Sequence, residues 1–419
     1  MKRNTDRMMK KTISSAALVL AAFLAAAQPM TYERYGKLVA EKNALYLAEK
    51  YNIDKATASL QAARVFNDPE LSVSYGNNQD WDLQMGQSVE VGLSINPDFA
   101  GVRKARIAVA GNEKDITEAS VSAYLSNLKL EAAEAWAEAW RLREICSLVE
   151  ESAADMMQIA KSDSLRLSLG DIGSADALQS RLEARTLNGT LLTQQADYRN
   201  ALAVLSLFCG GEPVDAIEND LPYRITLPSE SEICSLAESN RADLKAALLS
   251  KTLSENNLKL VQASRSFEMG IDLGYSYNTE VRNEIAPAPR FNGLTVGISI
   301  PLKFSSFNKG ELNAARAEIR QSEKYLEAAR LQVRSEAAQA YNSLLAAISV
   351  RDQYTGSILA DAKSILRGRR EGYLRGESSL VELLSAQQTY LDVMQAYIEA
   401  CCSCFVCKAR LEQASGCSF

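Results

Sequence analysis

Thiols and carboxylates are the groups in this chain with spacing that could do chemistry, because its 419 residues contain no histidine. That absence removes the usual general base and the commonest metal ligand. Eight cysteines are present, four of them in Cys401-Cys402-Ser403-Cys404-Phe405-Val406-Cys407, with Cys417 close behind. Closely spaced thiolates can hold soft metals such as Cu(I) or Zn. The spacing is not a paired C-x2-C motif, however, and it falls on an expected helix among apolar neighbours, where cysteine serves as a small packing residue. Disulfides need an oxidising compartment, and cysteines three apart on a helix are poorly placed to bridge. Asp176 and Glu382 are the carboxylates with a positional signature, each six residues after a glycine, Gly170 and Gly376. Trp136 and Trp140, four apart, read as a packing stripe of one helix. Nothing resembles a phosphate loop, a nucleophile elbow or a triad. The expectation is a protein with no catalytic group, no resident metal and no cofactor.

The elements that carry these residues come in two copies. Val91-Gly92-Leu93-Ser94-Ile95, with Pro97 behind it, is echoed by Val296-Gly297-Ile298-Ser299-Ile300 and Pro301. Leu169-Gly170-Asp171-Ile172 is echoed by Arg375-Gly376-Glu377-Ser378 at nearly the same offset. Two unrelated landmarks sharing one offset imply a tandem duplication of domain-sized units. Ahead of both copies, Lys2, Arg3, Arg7, Lys10 and Lys11 precede an apolar run from Ile13 to Ala27. A basic region, a short apolar stretch and small residues before Gln28 are the signature of a cleaved export signal over residues 1–27. Its removal takes away those five bases and Asp6, moving the formal charge from −6 to −10. An acidic exported chain is expected to have no nucleic-acid partner.

Prolines mark the boundaries. None occurs between Pro97 and Pro213 or after Pro301, so both stretches are free to form long helices, where an interior proline would cost ~3 kcal/mol. Glycine followed by Ser or Asp interrupts each stretch once, the pattern of a helix reversal. The first helix of each pair, ~65 residues at 1.5 Å each, would reach roughly 100 Å. Ile319, Leu326, Val333 and Ala337 form a seam of coiled-coil type. Ahead of each rod, Val89, Val91, Leu93 and Ile95, and Leu294, Val296, Ile298 and Ile300, alternate with Ser, Gly, Glu and Thr. Period-two alternation marks strands with two unlike faces. Leu71, Val73 and Tyr75, and Ile271, Leu273, Tyr275 and Tyr277, supply the hairpin partners. The expected organisation is a first repeat over 28–212 (helix, hairpin ~70–96, helical hairpin ~102–208), a connector at 213–228, and a second repeat over 229–419 (helix, hairpin ~268–301, helical hairpin ~309–415). Four strands cannot close a barrel, so their edges must be satisfied by other copies.

This arrangement resembles the TolC-like outer-membrane efflux protein family over essentially the whole mature chain. The residues carrying the resemblance include Asn67-Asp68-Pro69-Glu70-Leu71, Asn240-Arg241-Ala242-Asp243-Leu244 and the run Gly310 to Ile319. Gly372-Tyr373-Leu374-Arg375-Gly376-Glu377-Ser378-Ser379-Leu380-Val381-Glu382-Leu383-Leu384 is similar to the family's periplasmic-tip turn. The resemblance implies a mainly α protein with a membrane β-barrel portion, built as a homotrimer with a 12-stranded barrel and a helical coiled-coil tunnel. It further implies an outer-membrane location, contact with outer-membrane lipid, and docking to a periplasmic adaptor and an inner-membrane efflux pump. Such a channel is a passive conduit for drugs or metal ions. Glu382 falls where family acids line the periplasmic entrance, with Asp176 as its counterpart in the first repeat. A second family acid would fall at Ser385, so the ring would be incomplete. Gly170, Asp171, Gly376 and Glu377 would contact the adaptor. Val91, Leu93, Val296 and Ile298 would face lipid, with Gly92, Ser94, Gly297 and Ser299 facing the lumen. The alternative is an exported coiled-coil adaptor or structural protein, which would carry one helical hairpin and no duplication.

Overall fold

The computed structural model describes residues 29–77, 84–218, 221, 227–304 and 309–419. The expected export signal, and parts of the first hairpin linker and of the connector, lie outside the described residues. The chain forms two compact units, one comprising Lys50–Val121 and Ala242–Leu331. The other comprises the described residues up to Glu49, together with Ser122–Arg241 and Gln332–Phe419. Each unit draws on both repeats.

The first unit holds a four-stranded antiparallel sheet in the order β1-β2-β3-β4, with β1 at Glu70–Asn77, β2 at Gln87–Ile95, β3 at Gly270–Asn278 and β4 at Phe291–Ser299. The register sorts side chains into rows. Leu71, Leu93, Leu273 and Val296 stand in one row, Val73, Val91, Tyr275 and Leu294 in the next, and Ile95, Ile271 and Ile298 in a third. Between them run Ser72, Gly92, Gly274 and Thr295, then Ser94, Asp272 and Gly297. Because successive strand residues point to opposite faces, one face of the sheet is apolar across these rows and gives way to Asn77, Gln87 and Asn292 at one end, while the other face is mainly polar. Ser94 donates to Asp272 Oδ1 at 2.6 Å across the polar face. A side chain at position 92 would place its Cβ 2.5 Å from Ser72 Oγ, so Ser72 would have to turn aside to admit one.

The repeats place helices before and after these strands. α1 (Tyr32–Lys42) and α2 (Ala44–Ala63) precede β1; α3 (Val102–Leu169) and α4 (Ser174–Phe208) follow β2. In the second repeat α5 (Glu230–Asn240) and α6 (Ala242–Ser264) precede β3. After β4 come α7 (Gly310–Gln353), a π-helical turn at Tyr354–Ile358, α8 (Leu359–Arg375) and α9 (Leu380–Ser415). Two differences from the sequence expectation appear. The single helix expected ahead of each hairpin is broken at equivalent places, Asn43 (φ −61°, ψ 118°) and Arg241 (φ −67°, ψ 125°). Asn43 Oδ1 accepts the Tyr46 amide at 3.0 Å, offering the backbone an alternative to the helix ladder. Arg241, only 9% exposed, extends to an ion pair with Glu336. The second difference is the π-turn, which divides the second long helix while α3 runs unbroken.

The second unit has the chain's aromatic core. Trp136, fully buried, meets Tyr32 and Tyr35 at ring separations of 5.6 and 5.2 Å, and Tyr32 meets Phe405 at 5.0 Å. The alanine seam is packed, with Ala132, Ala133, Ala137, Ala139, Ala337 and Ala347 all buried. Cys401, Cys402 and Cys404 are buried within α9, and all eight cysteines are free thiols. Cys402 donates to Ala137 O at 3.3 Å, and burial pushes its thiol up to about 12, keeping it protonated. These cysteines act as small core residues. Among the described residues no cluster of three or more Cys, Asp or Glu is arranged to hold a metal ion.

Candidate functional site

The sheet presents a surface unsuited to water. Leu71, Val73, Tyr75, Val91, Leu93, Leu294, Val296 and Ile298 are all exposed, Leu294 at 80% and Val296 at 67%. Burying such a face stabilises by about 25 cal/mol per Å², so it must meet lipid or another apolar body. Exposed Phe66, Phe99, Phe267 and Phe304 flank the strands at one end, while Tyr75, Tyr275 and Tyr277 stand toward the other. Aromatic residues bounding an apolar strand band are the pattern of a membrane barrel. Among the described residues both outer strands, β1 and β4, have an unpaired edge. Among the described residues no helix is long and apolar enough to cross a membrane.

The two tip turns are built alike and capped differently. At the end of α3, Gly170 (φ +80°) donates to Leu167 O at 3.1 Å and Asp171 to Arg166 O at 2.9 Å. At the end of α8, Gly376 (φ +78°) donates to Tyr373 O at 3.0 Å and Glu377 to Gly372 O at 2.8 Å. This pair of bonds closes a helix C-terminus through one left-handed residue, which glycine adopts without penalty. Helix α9 then starts with a capping box: Glu382 donates its amide to Ser379 Oγ at 3.3 Å and accepts the Ser379 amide at 3.2 Å. Helix α4 starts at Gly173, whose missing side chain leaves it without such a cap. Asp176 and Glu382 thus share a position but not a role in capping.

Glu382 is about half exposed, and its Oε2 lies 3.3 Å from Arg369 Nη1. Glu377 pairs with Arg375 at 3.3 Å. Asp171 and Asp176 are exposed in the other turn. Within one chain Glu382 stays on the α8/α9 hairpin and Asp171 and Asp176 on the α3/α4 hairpin.

The two hairpins are joined by residues that sequence reasoning passed over. Tyr373, 5% exposed, donates its hydroxyl to Asp163 Oδ1 at 2.8 Å, and Asp163 is fully buried. Arg166 lies 3.8 Å from that carboxylate and over the Tyr373 ring at 5.3 Å. Arg370 bridges to Asp155 Oδ2 at 2.6 Å and to Gln158 at 3.4 Å. Burial, then the hydrogen bond to Asp163, raises the Tyr373 phenol well above its ordinary range, with the charges of Asp163 and Asp176 adding to the shift. The one trace of this in the sequence is a tyrosine three residues before the turn glycine; its partner on α3 carries no mark of its own.

A strand band with a lipid-type face, together with duplicated helical hairpins, defines an outer-membrane channel protein. Residues 233–416 match the family model described as outer membrane efflux protein. The chain is 24% identical over 388 residues to the cobalt-zinc-cadmium resistance protein CzcC of Cupriavidus metallidurans, covering 89% of this chain and 87% of that one. Its fold matches the outer membrane protein VceC of Vibrio cholerae (TM-score 0.71, 18% identity, 92% and 96% of the two chains). It matches the open-state MtrE outer membrane channel of Neisseria gonorrhoeae equally well (TM-score 0.71, 17% identity, 92% and 88%). Residues 233–416 thus carry an outer membrane efflux protein domain, and the whole chain shares the fold of solved outer-membrane channels. It resides in the outer membrane with its helices extending into the periplasm, and works as an efflux channel rather than an enzyme.

Proposed function

We propose that three copies of this chain close a 12-stranded barrel and a shared helical tunnel, forming a passive conduit from an inner-membrane pump to the outside. The observation that carries this reading is the sheet. It has one apolar face, one polar face and two free edges, and four strands are too few to close on themselves. In the trimer Val91, Leu93, Val296 and Ile298 face lipid, and Gly92, Ser94, Gly297 and Ser299 face the lumen. Gly170, Asp171, Gly376 and Glu377, exposed at the hairpin turns, contact a periplasmic adaptor. Glu382 and Asp176 line the periplasmic entrance, where three carboxylates from three copies favour cations.

The cargo class best supported is divalent metal cations, as substrate in transit. A relative that aligns over 89% of this chain is named for cobalt, zinc and cadmium resistance. The charged residues of the four strands are Glu70, Glu90 and Asp272, all on the polar face, and the strands contain no Lys or Arg. Such a lumen admits cations in preference to anions.

Native mass measurement of the detergent-solubilised mature protein should return three copies. Recovery as a water-soluble monomer would refute the conduit. Cells lacking the protein should become more sensitive to cobalt, zinc or cadmium than to lipophilic drugs; the reverse order would remove the metal assignment and leave the channel standing.

A further inference from the structure

The two repeats correspond strand for strand. Val91-Gly92-Leu93-Ser94-Ile95 in β2 matches Val296-Gly297-Ile298-Ser299-Ile300 at the end of β4, an offset of 205 (296 against 91). The hairpin ladders then fix the other strand of each pair. Leu71 stands opposite Leu93 and Ser72 opposite Gly92, while Ile271 stands opposite Ile298 and Asp272 opposite Gly297. Leu71 therefore corresponds to Ile271 and Ser72 to Asp272, an offset of 200 (271 against 71). The helical unit keeps the correspondence too. Gly210 after α4 and Gly416 after α9, both left-handed, pack on Lys42 and Asn240, the residues just before the two helix breaks.

Inside one chain the first repeat meets the second through β2 and β3, with Val91 opposite Tyr275, Gly92 opposite Gly274, Leu93 opposite Leu273 and Ser94 opposite Asp272. The complementary seam, β4 of a second repeat on β1 of a first, cannot form within the chain. Those strands are the outermost of the sheet, three spacings of about 4.8 Å apart.

We propose that β4 pairs with β1 of the next copy in the register that the β2–β3 seam dictates when both offsets are applied. Ile298 then lies opposite Val73 of the next copy, Gly297 opposite Ser74, Val296 opposite Tyr75 and Ser299 opposite Ser72. This register sets apolar against apolar and small polar against small polar; a slip of one residue would mix the faces. The strand tilt agrees as well. A line straight across the sheet from Glu70 passes Ser94, Asp272 and Gly297 and reaches Ser74 of the next copy, four residues on. Repeated over three copies, that stagger gives a tilt of about 35°, within the range for membrane barrels. Pairing Ser299 with Glu70 instead would halve the stagger and flatten the tilt to about 19°. The helical unit carries an imprint of the same rule. α3 and α9 join the repeats where Cys402 donates to Ala137 O, and one turn along Trp140 and Ile398 are buried. Their counterparts, Leu345 and Leu192, are exposed in the single chain and await the next copy. That the copies number three rests on the conduit reading; the register rests on the duplication.

Disulfide trapping tests the register. The four strands contain no cysteine, so the native protein is the background control. Directly opposed residues stand about 4.5–5.5 Å apart between Cα atoms, within disulfide reach. Oxidation of detergent-solubilised protein carrying Ser72→Cys with Ser299→Cys should link three chains into one covalent species that reduction returns to single chains. Within one chain these positions are too far apart to bridge. Ser299→Cys combined with Glu70→Cys or with Ser74→Cys reports the two-residue slips, which add ~6.7 Å along the strand. Both should link at least about tenfold more slowly; faster linking by either overturns the register. If the first variant does not accumulate, Ser74→Cys with Gly297→Cys carries the same register, since a Cβ at 297 comes no closer than 3.5 Å to Asp272. No link from any pair in a protein that weighs as three copies overturns the seam and leaves the conduit standing. Single copies by native mass, with no link, refute the conduit and the seam together.

Discussion

Replacing Tyr373 with phenylalanine removes one oxygen from the join between the tip hairpins and leaves the ring beneath Arg166. The hydroxyl is the donor to Asp163 Oδ1 at 2.8 Å, and Asp163 Oδ2 has no hydrogen-bond partner in its buried position. The nearest cation, Arg166 Nη1, stands 3.8 Å away. A hydrogen bond to a charged group contributes about 1.5–3 kcal/mol, so the joined arrangement should lose about that much. At 1.4 kcal/mol per factor of ten, the balance between joined and separated hairpins shifts about 10- to 150-fold. The Arg370–Asp155 bond is shorter, at 2.6 Å, but both side chains are more than a third exposed. Solvent screening limits such a pair to about 1 kcal/mol at most, so Arg370→Gln should shift the balance about fivefold or less. Single-channel recording in planar bilayers would show Tyr373→Phe open far more often than Arg370→Gln. Because both bonds join the same two helices, the double variant should depart from additivity. The phenol also sets a pH limit. Its folded value is raised, so unfolded tyrosine ionises first, from about its ordinary 10.0. The stabilisation is then full below pH 10 and declines as pH rises further. Tyr373→Phe should lack that alkaline decline. Wild-type conductance and alkaline stability in Tyr373→Phe, or a larger effect from Arg370→Gln, would refute the ranking by burial.

On the lipid-facing side of the sheet, Val296→Arg should cost ~2–4 kcal/mol if the position lies near the bilayer midplane. The reference is Thr295→Arg on the opposite face, and urea unfolding from lipid vesicles would compare them; equal costs would mean that the apolar face does not meet lipid. At the tip, Glu382→Gln keeps a side chain that can complete the capping box and removes only the charge. Cation selectivity and block by trivalent ions should weaken in that channel, and less so in Asp176→Asn. Unchanged selectivity and block would leave Glu382 as a helix cap on a solvated face.

Much of the architecture was legible because it is periodic or local. Proline-free stretches, an alanine seam and two glycine reversals identify long helical hairpins, since helix formation answers to residues three and four apart. Val91, Leu93, Val296 and Ile298 reveal a two-faced sheet through alternation alone. The breaks at Asn43 and Arg241 were missed for the converse reason: neither residue is a strong breaker, and each leaves the helix for contacts that the fold supplies. Asn43 caps Tyr46 and Arg241 meets Glu336.

Spacing thus determined the duplication, the alternating strands and the reversals, because each depends on residues close along the chain. Only the tertiary structure decided that β2 lies against β3, joining the repeats through rows such as Val91 and Tyr275. Only the tertiary structure likewise brought Tyr373 to Asp163, 210 residues away in sequence, in a setting buried enough to matter. A pair so distant leaves no periodic trace: its strength comes from the exclusion of water, and burial belongs to the packed helices rather than to either residue.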